Sequence, residues 1–131
     1  MSQISKKLYE KLQRQYSRRI NLDLNRIKKA LLKLNNPQYH LENIINVIGS
    51  DGKNSFLTSL KFFLEADNQK VNTFTSPHLF DVRHRFWLGT RFISIKEILN
   101  YKKIIEKTKI KLILFELLTC VFILSAKNSK A

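Results

Sequence analysis

A short apolar run that ends in a loop of glycine, lysine and serine limits the fold of this chain more than any other stretch. Residues 44–48 read Ile-Ile-Asn-Val-Ile, and such β-branched side chains favour a buried strand of a parallel sheet. Gly49 ends the run. After Ser55, apolar side chains recur at spacings of three and four, which predicts a helix that turns one face inward. That face comprises Phe56, Leu57, Leu60, Phe63 and Leu64. The sequence therefore predicts a strand, a loop and a helix, in this order.

The loop has the composition of a phosphate-binding loop. Its candidate ATP-binding residues are Gly49, Ser50, Asp51, Gly52, Lys53, Asn54 and Ser55. Backbone N–H groups at the start of a helix have no acceptor within the helix, so they can bind phosphate oxygens. Lys53 would place a positive charge near the β- and γ-phosphates, and Ser55 would place a hydroxyl near Mg²⁺. The spacing is one residue shorter than the common pattern, and a solvated Asp-Gly turn is the alternative interpretation.

Chain length, hydrophobic content and cysteine count restrict the class of protein to which this chain can belong. A chain of 131 residues with 44% hydrophobic content is long enough for one domain with a single core. Its single cysteine, Cys120, permits no internal disulfide, and we expect a buried, reduced thiol. No apolar stretch of signal-peptide length follows the amino terminus. These features favour a cytoplasmic protein.

The chain is strongly basic, with a net charge of +14. Residues 1–40 contribute ten basic and two acidic side chains. A basic module that binds nucleic acid is one interpretation. Seventeen of the 24 basic residues are lysine, which is typical of a general drift in composition. We therefore do not expect nucleic acid as the partner, and keep this module as the alternative function.

Two helices are predicted before the loop. The first has an apolar stripe at Ile4, Leu8, Leu12 and Tyr16, and the second has one at Leu24, Ile27, Leu31 and Leu34. Asn21 or Asp23 can cap the second helix, and Pro37 ends it.

After the loop, the pattern predicts a second strand at residues 70–75, parallel to the first. Ser76-Pro77-His78 breaks this strand at the edge of the sheet where ligands bind. Residues 85–93 predict a short aromatic hairpin. Ser94 and Glu97 form a capping box, so a helix begins there.

The last predicted helix, residues 112–126, is apolar nearly throughout and carries Glu116. It is short for a membrane span, which needs about 20 apolar residues, and a carboxylate inside a span is costly. The other interpretation is a buried helix. In that case Glu116 requires a metal or a cation as its partner.

Several ordered motifs resemble the amino-terminal third of the folylpolyglutamate synthases, including the bifunctional dihydrofolate synthases. They read Gly-Ser-Asp-Gly-Lys-Asn-Ser at 49–55, Phe-Thr-Ser-Pro-His-Leu at 74–79 and Phe-Glu-Leu-Leu-Thr at 115–119. Arg85 and residues 93–94 lie between the second and the third of these motifs, in the same order as in the family. The resemblance extends from about residue 20 to about residue 126.

The resemblance implies an ATP-dependent amide ligase of the Mur-ligase kind. Its cofactors would be ATP and Mg²⁺, and its substrates folate or dihydropteroate together with glutamate. It would be a monomer without membrane association. The γ-phosphate of ATP passes to a carboxylate, and the amino group of glutamate attacks the acyl phosphate. The implied catalytic residues are Lys53, His78 and Glu116, and the implied metal ligands are Ser55, Ser76 and Glu116.

The same resemblance implies a P-loop α/β fold, built on a parallel sheet with flanking helices. Residues 1–40 would form amino-terminal helices, and residues 41–131 part of the ATP-binding domain. The family's later Glu-x-Gly segment and its carboxyl-terminal domain are absent from these 131 residues. We therefore expect a truncated member of the family without turnover.

The chain departs from the family pattern inside the loop. Ser50, Asp51 and Asn54 stand where the family has threonine, asparagine and glycine, and His84 stands where it has glutamate. Asp51 should weaken ATP binding because it places a negative charge beside the phosphates. We expect asparagine at residues 54, 68 and 72, where glycine is usual, to be tolerated because asparagine accepts a positive φ.

Overall fold

The computed structural model describes residues 3–78, 80–129 and 131. Its helices and strands, in chain order, are α1 (Gln3–Gln15), α2 (Asn25–Lys33), α3 (Lys53–Ala66), β1 (Asn72–Phe74), β2 (Phe86–Leu88), α4 (Ile95–Glu106) and α5 (Leu114–Asn128). Two short 3₁₀ turns, Pro37–His40 and Val82–Arg85, connect them. None of the described helices combines the length and hydrophobicity that a membrane span requires.

Two helices form before the loop, as predicted, but their stripes and cap agree only in part with the prediction. Leu8 and Leu12 of α1 are buried, as their spacing predicts, whereas Ile4 is exposed. Helix α2 begins at Asn25 without a side-chain cap from Asn21 or Asp23, and Leu24 is exposed. Helix α2 ends at Lys33, and Asn35 and Asn36 follow with positive φ before the proline. At the start of α4, Ser94 Oγ accepts from the Glu97 N–H and the Glu97 carboxylate accepts from the Ser94 N–H, both at 3.1 Å. The predicted capping box is confirmed.

Helix α5 lies at the centre of the core. It packs against α4, α2, β2 and the Pro37–His40 turn. Its buried residues are Leu114, Glu116, Leu117, Leu118, Cys120, Val121, Leu124, Ser125 and Ala126. The predicted burial of Cys120 is confirmed, and this burial raises the pKa of its thiol to about 12.

A small antiparallel sheet covers one side of α5. Strands β1 and β2 pair with Phe74 opposite Phe86, and the chain turns after β2 so that Trp87 bridges Phe92. The predicted hairpin is therefore present. The Phe74 ring lies 5.3 Å from that of Phe86 and 5.1 Å from that of Phe122, between ring centres, which joins the sheet to the core.

The predicted parallel sheet is absent from the described residues. Residues 44–48 form no strand there, and the strand predicted at 70–75 is shortened to β1, which pairs antiparallel with β2. A parallel strand needs hydrogen-bonded neighbours and cover on both faces. No described strand lies beside residues 44–48, and Ile44, Ile45 and Ile48 are exposed. The predicted inward face of α3 is only partly correct, because Leu57, Leu60 and Leu64 are half-buried whereas Phe56 and Phe63 are exposed.

The first forty residues share the core with the rest of the chain. Ser5 of α1 donates a hydrogen bond to Asp81, and the Leu114 N–H donates to the Ser17 carbonyl at 2.8 Å. Helix α2 packs on α5. The predicted domain boundary near residue 40 stays a prediction.

Candidate functional site

The candidate phosphate-binding loop leads into an uncapped helix. Gly52 has φ 75°, in the left-handed region that glycine adopts at little cost, and α3 begins at the next residue, Lys53. No side chain caps this end of α3. The Phe56 N–H donates to the Gly52 carbonyl at 3.0 Å, so the N–H groups of the first turn before it have no helical acceptor. This end of α3 can therefore bind an anion.

An open pocket of about 450 Å³ lies beside the loop. It is lined by Ile45, Asn46, Val47, Ile48, Asp51, Gly52, Lys53 and Phe56. The apolar side chains provide a surface for a flat ring, and Lys53 provides a positive charge. Asp51 lines the same pocket, so its carboxylate opposes the effect of Lys53 on a bound anion.

The asparagines that replace the family's glycines have different roles. Asn68, just after α3, has φ 60°, so the expected use of positive φ is confirmed there. Asn54 is helical in the first turn of α3, and Asn72 lies in β1. Neither has a positive φ, and the reasoning from positive φ does not apply to them.

A second polar cluster surrounds Arg85, which is buried beside the short sheet. Arg85 Nε donates to His78 Nδ1 at 2.8 Å, and Arg85 Nη1 donates to Ser76 Oγ at 3.2 Å. The Tyr9 ring meets the His78 ring edge-on, with 4.4 Å between ring centres. Burial and the Arg85 charge lower the pKa of His78, and burial lowers the pKa of Arg85. This cluster therefore favours a neutral His78.

Glu116 has a cation as its partner. Arg26 Nε donates to Glu116 Oε1 at 3.0 Å, and Arg26 Nη2 donates to Oε2 at 3.3 Å. The Ile113 N–H also donates to Oε1, at 3.0 Å, at the start of α5. The expectation that a buried Glu116 needs a metal or a cation is thus met by Arg26. Sequence reasoning missed this pairing because the two residues lie 90 positions apart.

The three predicted metal ligands have different surroundings in the structure. Both oxygens of Glu116 accept hydrogen bonds from Arg26, and Ser76 is bonded to Arg85. Ser55 lies on the exposed first turn of α3. In the part of the chain that the structure describes, no three His, Cys, Asp or Glu side chains meet as a metal site. The metal-binding role of Ser55, Ser76 and Glu116 stays a prediction.

Comparison with known proteins identifies relatives along most of the chain, although no family model matches it. A dihydrofolate synthetase of Saccharomyces cerevisiae is 33% identical over 105 residues, which are 77% of this chain and 24% of that protein. A folylpolyglutamate synthase of Arabidopsis thaliana is 41% identical over 59 residues, which are 45% of this chain and 10% of that protein. The predicted family resemblance is confirmed.

Solved structures of folylpolyglutamate synthases have the same fold over nearly the whole chain. A bifunctional folylpolyglutamate synthase/dihydrofolate synthase from Yersinia pestis, complexed with AMPPNP and Mn ion, superposes with a TM-score of 0.81 at 25% identity. The match covers 95% of this chain and 31% of that one. A folylpolyglutamate synthase from Thermotoga maritima gives a TM-score of 0.75 at 27% identity, over 96% and 31% of the two chains. The fold is therefore α/β and Mur-ligase-like, and the chain spans about a third of these structures.

Proposed function

We propose that this chain provides the ATP-binding part of a folylpolyglutamate synthase-like ligase, which adds glutamate to folate or dihydropteroate. The observation that carries the proposal is the uncapped start of α3, where a left-handed Gly52 leads directly into Lys53. The pocket beside it has room for a nucleotide. The related structure from Yersinia pestis, described as complexed with AMPPNP and Mn ion, supports a nucleotide as the ligand.

In the proposed reaction, the chain positions ATP and neutralises its charge. The N–H groups at the start of α3 would hold phosphate oxygens, and the Lys53 ammonium would offset charge that accumulates as the γ-phosphate moves to the folate carboxylate. The amino group of glutamate would then attack the acyl phosphate and release phosphate. We take Mg·ATP as the form of the nucleotide. No step of the proposal depends on a metal ligand supplied by the chain, because Ser76 and Glu116 are engaged with arginines.

The binding test is a calorimetric titration of Mg·ATP into the purified chain at physiological salt. We expect saturable binding that Lys53→Ala abolishes. Lys29→Ala is the matched control, since Lys29 is an exposed lysine on α2 and its removal changes the net charge equally. Absence of binding by a chain that circular dichroism shows to be folded would contradict the proposal.

Turnover is a separate question from binding. The expectation that this chain does not turn over is tested by assaying ADP release with folate and glutamate present. ADP release that requires both substrates and disappears in Lys53→Ala would refute that expectation, and would place the whole reaction in this chain.

A basic module for nucleic acid is the second candidate, favoured by the exposed cations of residues 1–40. They are Lys6, Lys7, Lys11, Arg14, Arg18, Arg19, Lys28, Lys29 and Lys33. Binding through such residues should weaken steeply as salt rises. Fluorescence anisotropy with a labelled single strand, measured across a salt series, would show this behaviour if the second candidate is correct.

A further inference from the structure

Helix α3 contacts the rest of the molecule along one face. The half-buried residues of α3 recur at spacings of three and four, which places them on the same side of the helix. They are Leu57, Leu60, Lys61, Leu64 and Glu65. No residue of α3 is fully buried, and among the described residues its leucines do not pack on the buried core. Apolar packing therefore fixes α3 less firmly than it fixes α5.

Trp87 contacts this face of α3 with both its ring and its N–H group. Strand β2 buries Phe86 and Leu88, so Trp87 between them lies on the other side of the strand. Trp87 Nε1 donates to Glu65 Oε1 at 2.9 Å, and the Lys61 ammonium lies 3.8 Å from the centre of the Trp87 ring. Within the described residues, no other side-chain hydrogen bond joins α3 to another helix or strand.

Neighbouring side chains fix the Trp87 ring and its two partners. Lys61 and Glu65 are one turn apart and pair with each other at 3.6 Å between Nζ and Oε2. Their side chains are 18% and 26% exposed, so water screens these contacts less than at an open surface. Phe92 lies edge-on to Trp87, with 5.1 Å between ring centres. We call the contacts of Trp87 with Lys61 and Glu65 the Trp87 anchor.

The anchored helix also carries one wall of the candidate nucleotide pocket. Lys53 is the first residue of α3, eight positions before Lys61, which is about 12 Å along the helix axis. Residues 45–48 line the same pocket but lie outside α3. Any shift of α3 against β2 therefore moves Lys53 and the N–H groups of the first turn relative to residues 45–48. The pocket has its observed shape only while α3 keeps its place.

We propose that Trp87 is a positioning residue for the candidate nucleotide site. It contacts no part of that site, and acts by fixing α3 through Lys61 and Glu65. Its effect on the nucleotide rests on the proposed function, whereas the anchoring of α3 does not. The two parts of the inference are therefore measured separately.

The first measurement is amide hydrogen exchange of α3, followed by mass spectrometry without nucleotide. Trp87→Leu and Glu65→Ala each remove the anchor. Glu65→Gln is the conservative variant, because its amide oxygen can still accept the Trp87 N–H. Glu10→Ala is the matched control, since Glu10 is an exposed carboxylate on α1 and its removal changes the net charge equally.

We expect the α3 amides to exchange about tenfold faster in Trp87→Leu and Glu65→Ala. Glu65→Gln should restore most of the protection, and Glu10→Ala should leave it unchanged. The α5 amides should exchange at the same rate in all four variants, which shows that the core is intact. Unchanged exchange of α3 in both anchor variants would overturn the proposal.

The second measurement is calorimetric titration of Mg·ATP into the same proteins. We expect Kd to rise about threefold or more in Trp87→Leu and Glu65→Ala, because a smaller fraction of the molecules then has the pocket assembled, with recovery in Glu65→Gln. Binding with the same Kd in every variant would overturn the positioning role alone. Absence of binding by the unchanged chain would instead contradict the proposed function and the positioning role together, while faster α3 exchange would still establish the anchor.

Discussion

Removal of Arg26 should destabilise this protein far more than removal of an ordinary surface arginine. Arg26→Met leaves the Glu116 carboxylate, whose side chain is 7% exposed, with the Ile113 N–H as its remaining hydrogen-bond donor. Breaking a buried ion pair by deleting one partner costs about 3–5 kcal/mol. Arg26 itself is 27% exposed, so water can replace part of the lost contact. We therefore expect the free energy of unfolding to fall by about 2–3 kcal/mol.

The assay is urea denaturation, read as a shift in midpoint at unchanged slope. Arg91→Met is the matched control, because Arg91 makes a similar two-point pair with Glu97 at 2.7 and 3.1 Å, but with side chains 57% and 29% exposed. It should cost about 0–1 kcal/mol. Adding Glu116→Gln to Arg26→Met should recover about 1–2 kcal/mol, because the uncompensated charge is removed. A cost for Arg26→Met no larger than that of the control, or no recovery in the double variant, would refute this reasoning.

Three further predictions concern the loop, a helix cap and acid stability. Asp51→Asn should tighten Mg·ATP binding by about 1 kcal/mol, or roughly fivefold in Kd, because it removes a negative charge from the pocket that Lys53 lines. A calorimetric titration that shows weaker binding would contradict this prediction. Ser94→Ala should lower the free energy of unfolding by about 1 kcal/mol in urea, since it removes the cap of α4, and an unchanged midpoint would show that the cap contributes nothing. Burial alone would raise the pKa of Asp81, but hydrogen bonds from Arg83 and Ser5 outweigh it and hold that pKa well below its ordinary range. The folded pKa is lowered, so the stabilisation is complete above the ordinary carboxyl pKa of 3.8 and is lost as pH falls from there towards the folded pKa. Asp81→Asn should flatten the dependence of stability on pH below about 4, and an unchanged slope would contradict the assignment.

Sequence reasoning located the elements whose signals are local. The capping box at Ser94 involves side chains three residues apart, and the stripe of α1 requires only that Leu8 and Leu12 share a face. The start of α3 is equally local, since it depends on the conformation of Gly52 and on the helix that follows. These features form with few contacts to distant parts of the chain. The position of the candidate loop could therefore be predicted from its own residues.

The features that sequence reasoning missed depend on residues far apart in the chain. Neither the partner of Glu116 nor the tyrosine beside His78 gives a periodic signal, because each pair is joined only by the packed core. Residues 44–48 were predicted as a buried strand from their β-branched composition. Such β-branched side chains favour a strand whose faces are buried against other residues. The composition does not specify which strand pairs with this segment.

The wrong prediction of a strand at residues 44–48 has a simple physical cause. A strand has no internal hydrogen bonds, so its stability comes entirely from neighbours, whereas a helix such as α3 satisfies its own backbone. Helix α3 can therefore form while its outward face is uncovered, and residues 44–48 cannot become a strand until a partner pairs with them. The candidate loop at the start of α3 belongs to the part of the chain that forms on local signals alone.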